Sequence, residues 1–63
     1  MPRWKILLSI MQHNQSDVVR VGKEWIVWAS KTNRSYIFSW IVVKALSDRG
    51  YIEIVDQKRG VLK

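Results

Sequence analysis

The sequence has no cysteine and only one histidine, His13. Without cysteine there are no disulfides to brace a small fold and no thiolates for a metal site. One imidazole does not build a metal site alone, so no metal and no other cofactor is expected. Glycine occurs three times, as Gly22, Gly50 and Gly60, too far apart to form a phosphate-cradling loop. Acid is scarce as well. Asp17, Glu24, Asp48, Glu53 and Asp56 are the whole complement, and none are spaced as a pair for acid–base work. The serines have no setting that would activate a nucleophile. No catalytic residue is expected, and the chain reads as a binder rather than an enzyme.

Long apolar runs are also missing. The longest, Tyr36 to Val43, is interrupted by Ser39 and falls far short of the ~20 residues a membrane span needs. Ile6 to Met11 is too short for the core of a secretory signal, and no small-residue cleavage site follows. The expected location is the cytoplasm, with no membrane partner. Surface binding by the Tyr36–Leu46 stretch is disfavoured because Lys44 is its only cation.

What is abundant is positive charge. Eleven Lys and Arg against five Asp and Glu leave a net charge of +6 on 63 residues. A field of that strength on so small a body attracts polyanions, nucleic acid foremost. The apolar fraction of 48% is that of a folded protein rather than a disordered one. The length allows one domain, residues 1–63, which buries only ~60% of its unfolded surface. With no disulfide or metal to help, self-association is the remaining source of extra stability.

Trp4, Leu7, Leu8 and Met11 recur at helical spacing, with Ile6 and Ile10 widening the face. Pro2 suits the first turn, and the polar string His13–Asp17 ends the helix, leaving His13 solvated. Val18, Val19 and Val21, closed by Gly22, read as a short strand. Lys23 to Lys31 is ambiguous. Trp25, Trp28 and Ala29 have helical spacing, yet Trp25-Ile26-Val27-Trp28 has strand composition, and a hairpin around Gly22-Lys23 would pair it with Val18–Val21. Thr32-Asn33-Arg34-Ser35 favours the helix. It resembles a tight turn between two helices, with Asn33 left-handed and Ser35 capping the next helix. Tyr36 to Arg49 then reads as helix ended by Gly50. Tyr51–Val55 and Val61–Lys63 form a hairpin around Asp56–Gly60.

The order is helix, short strand, helix, turn, helix, hairpin. Lys44-Ala45-Leu46-Ser47-Asp48-Arg49-Gly50-Tyr51-Ile52 resembles the end of the recognition helix and the first wing strand of the winged helix-turn-helix family. Ser35 falls where that family starts its recognition helix, Asn33 at the turn, and Ala29 at the small residue where two helices approach. The resemblance implies a small α+β winged helix: three helices, a short strand after the first, and a C-terminal two-stranded wing. It implies a transcriptional regulator that binds double-stranded DNA through its third helix and basic wing. Lys31 and Arg34 at the turn, with Lys58 and Arg59 at the wing tip, would contact phosphates, joined by Lys23 and Ser35. Tyr36, Ser39, Trp40 and Lys44 would face the groove.

One departure from the family pattern opens a second reading. Tyr36, Ile37, Trp40 and Ile41 are apolar where base-reading helices carry polar side chains, so few groups can make bidentate contacts. The helix would then dock on a protein partner, touch thymine methyls while phosphates supply affinity, or present a face displaced by one residue. The chain would on the first of these be a protein-interaction module, or a homodimer, contacting its partner through Trp25 and Trp40, where interfaces favour tryptophan. Trp4 and Trp28 are expected in the core.

Overall fold

Residues 1–63 are described by a computed structural model, in which two helices lie on one face of a five-stranded antiparallel sheet. The chain runs α1 (Arg3–Asn14), β1 (Val18–Val21), β2 (Glu24–Ala29), β3 (Arg34–Phe38), α2 (Trp40–Asp48), β4 (Ile52–Val55) and β5 (Arg59–Leu62). The strands lie in the order β3-β2-β1-β5-β4. This overturns the three-helix winged helix with a two-stranded wing. The C-terminal hairpin exists, but it is one side of a larger sheet joined through β1–β5 pairing.

The middle of the chain is where expectation and structure part. Glu24–Ala29 is a strand, not a helix, and its burial alternates residue by residue. It pairs with β1 on one side and β3 on the other. Trp, Ile and Val lose side-chain freedom in a helix and pack well on a pleated surface. Gly22 supplies the positive φ, 63°, that opens the β1–β2 hairpin as glycine does in two-residue turns. Thr32–Ser35 is therefore no helix–helix turn. Asn33 is left-handed (φ 57°), as read, but it closes the β2–β3 connection. Ser35 lies in β3, and the N-cap position of the real helix belongs to Ser39. The helix read from Tyr36 thus starts four residues late, at Trp40.

Both helix ends follow from local chemistry. At the C-terminus of α2, Tyr51 N–H donates to Leu46 O (3.1 Å) and Gly50 N–H donates to Ser47 O (3.0 Å). With Gly50 at φ 80°, this is a Schellman cap. α1 ends at Gln15, which is left-handed at φ 51°. There the Ser16 N–H donates to Met11 O at 3.0 Å.

The core lies between the helices and the inner face of the sheet. Leu7 and Met11 of α1 and Val42, Val43 and Leu46 of α2 meet Val18, Trp25, Val27, Phe38 and Ile52 from the strands. Gly60 of β5 is also buried on this face. A Cβ there would lie 2.8 Å from Val18 Cγ1, so glycine lets the β5 backbone sit beneath the core. Of the tryptophans expected inside, Trp4 packs against the core, but Trp28 is 48% exposed and Trp25 takes the buried place at 3%. Strand alternation sends the two to opposite faces.

Candidate nucleic-acid interface

The β1–β2 turn, the β4–β5 loop and the start of α2 meet at one end of the sheet. Antiparallel pairing dictates this: Val21 sits opposite Glu24, Trp25 opposite Phe38, and Val55 opposite Arg59. The Arg20 N–H also donates to Lys58 O at 2.7 Å, tying the loop to β1. A cleft of about 420 Å³ opens here, lined by Arg20, Gly22, Lys23, Trp25, Trp40, Ile54 and Gln57.

The chemistry of this cleft is aromatic and cationic. Trp40 stacks on Trp25 with ring centroids 5.5 Å apart and planes 29° from parallel. Trp25 is the buried half of the pair, while Trp40 is 43% exposed. Arg20 lies directly opposite Trp25 on the neighbouring strand. No acidic side chain lines the cleft, and α2 begins beside it with no acid in its first turn and no side-chain cap on Ser39. The unsatisfied N–H groups of a helix start add positive potential to the two cations. Such a site suits a planar ring on Trp40 and an anionic group beside it.

The residues singled out from sequence do not form one surface. Lys23, Ser39, Trp40 and Lys58 gather at the cleft end, with Lys44 one turn along α2, where its ammonium is held 2.7 Å from Asp48. Lys31 and Arg34 flank the β2–β3 connection at the opposite end of the sheet, where the Lys31 N–H donates to the Asn14 side chain at 2.9 Å. Arg59 is on the sheet face turned away from the helices, 3.9 Å from Asp17. Ser35 shares that face, opposite Trp28, while Tyr36 lies opposite Val27 on the edge strand.

Arg20 and Gln57 were not anticipated. The alternation Val18-Val19-Arg20-Val21 was the available signal. It puts Arg20 on the same side as buried Val18, a place arginine takes only where the strand emerges at a rim. Elsewhere, Arg49 lies 4.4 Å over the Trp4 ring, Trp4 stacks on Tyr51 at 6.0 Å, and Arg3 sits 5.1 Å over Phe38. Of these rings Phe38 is buried and Trp4 half-buried under Arg49, while Tyr51 stays exposed at the end of the sheet away from the cleft. No three His, Asp or Glu side chains come together as metal ligands, and no helix is long and apolar enough to cross a membrane. Comparison with protein families, curated proteins and solved structures finds no match to the chain.

Proposed function

We propose that the protein binds nucleic acid at the cleft end, with phosphates on Arg20, Lys23 and Lys58 and an unpaired base stacked on Trp40. The observation that carries this reading is the half-exposed Trp40, held on Trp25 beside Arg20 and Lys23 with no acid in the lining. Aromatic platforms beside a cationic groove bind single strands because every base has a π-face. Charge suggested nucleic acid, and the winged-helix resemblance implied duplex DNA. The side chains at the start of α2 are Trp40, Ile41 and Lys44, which provide no bidentate reader of base edges. Duplex is therefore held through phosphates alone, more weakly than a single strand.

Fluorescence titration with a single-stranded oligonucleotide tests the reading, followed over a range of salt. Trp40 emission should be quenched on binding. Replacing Arg20 and Lys23 together by Ala should weaken binding and flatten the salt dependence by roughly 1.4 in log–log slope, about 0.7 per phosphate contact. Trp40→Ala should cost about 1–3 kcal/mol of affinity while the chain stays folded. Absence of binding at low salt ends the proposal. Equal affinity for duplex and single strand would remove Trp40 as a base platform.

A further inference from the structure

The sheet face turned away from the helices is uncovered and apolar. Across its middle runs a row of one residue per strand: Ile37, Ile26, Val19, Arg59 and Val55, fixed by the pairing register. Trp28, Val21 and Val61 extend it on either side. Ile37 is 53% exposed and Trp28 48%. A soluble monomer rarely shows so contiguous an apolar patch.

Charge is divided sharply between the two sides. Within the strands this face holds Glu24 and Glu53 and one cation, Arg59, and the same alternation brings Asp17 and Lys63 to its margin, one residue beyond the ends of β1 and β5. Most of the remaining Lys and Arg lie on the helices, the turns and the helix side of the sheet. A polyanion therefore has no purchase on this face, and a second copy can approach it without bringing the two cationic regions together. Arg59, next to Val19 at the middle of the row and 3.9 Å from Asp17 on its own copy, offers a cation to the acids that a facing copy presents under two-fold symmetry.

The dimensions set the strength of the pairing. Five strands about 4.8 Å apart, with residues rising about 3.4 Å, make a face of roughly 20 by 17 Å, or about 340 Å². That is below the about 600–1,000 Å² each partner of a stable interface buries, so the pairing is weak and concentration-dependent. Sheets of this kind pack face to face about 10 Å apart.

We infer that a second copy of this chain docks on the uncovered face, sheet against sheet, with Trp28 at the contact. This differs from association through Trp25 and Trp40: Trp25 is buried, and Trp40 lies on the helix side. The pairing does not depend on the nucleic-acid reading. On that reading, it leaves both clefts open on the outer sides of the dimer.

Sedimentation without nucleic acid, from micromolar to millimolar chain, tests the inference. The wild type should pass from monomer to dimer. Trp28→Glu and Val19→Glu, both on interior strands, should stay monomeric and folded by circular dichroism. Ile41→Glu, at the 77% exposed Ile41 of α2, should dimerise as the wild type does. A mixed sample of labelled and unlabelled chains adds a readout without substitution: isotope-filtered contacts from the Trp28 ring to the partner copy. A wild type that is monomeric throughout overturns the inference. So does a dimer that survives both face substitutions, as pairing through edge strand β3 would, or one without intermolecular contacts to Trp28.

Discussion

Gly60 shows how much a single residue settles in a fold this small. In the sequence it is a glycine at the end of a polar loop, yet it lies in β5, buried against Val18 and Ile52. Nothing in Lys58-Arg59-Gly60 announces this, because close approach is set by strands distant in sequence. Val18 is β-branched and has little freedom to move aside. Gly60→Ala should therefore cost about 1–3 kcal/mol by overpacking, read from urea unfolding. Unchanged stability would mean that β5 sits farther from the core. The tryptophans make the complementary point. Trp25 and Trp28 share i, i+3 spacing, so helical geometry puts them on one side and strand geometry puts them on two. The expectation of Trp28 in the core and Trp25 at an interface is reversed by the phase of β2, which leaves the cleft's buried platform unrecognised in the sequence.

Elements bounded by strong local signals were legible. α1, β1, the β4–β5 hairpin and the Gly50 cap follow from spacing, β-branching and glycine. β2 and β3 were not, because Trp25–Ala29 satisfies both periods and is decided by neighbours. β2 is an interior strand only because β1 and β3 flank it, a long-range fact that propensity does not contain. Capping misled in the same region, since Ser35 and Ser39 are both plausible helix starts. The end of α1 supplies an element-scale test. Gln15 takes a left-handed conformation that costs a non-glycine residue roughly 1–2 kcal/mol. Gln15→Gly removes that strain and adds unfolded-chain entropy. The net gain should be about 0.5–1 kcal/mol in thermal or urea unfolding, and a loss of stability would show that Gln15 makes contacts worth more than the strain.

On the scale of the whole molecule, the net charge predicted a polyanion partner without locating it. The fold scatters the eleven cations among both ends of the sheet, the helices and one position on the uncovered face. It brings only some of them to an exposed aromatic ring. Lys31 and Arg34 at the far end carry the same charge as Arg20 and Lys23, but the cleft and its stacked tryptophans are at the other end. On the proposed function, binding is local to one end of the sheet. Two-dimensional ¹⁵N NMR during titration with a single-stranded oligonucleotide measures this directly. The Trp40 indole and the amides of Arg20 to Lys23 and of Gln57 and Lys58 should shift together and saturate together. The amides of Lys31 to Ser35 should stay in place. Shifts centred on Lys31 to Ser35 or on the Trp28 face, or no shifts at low salt, would contradict the account.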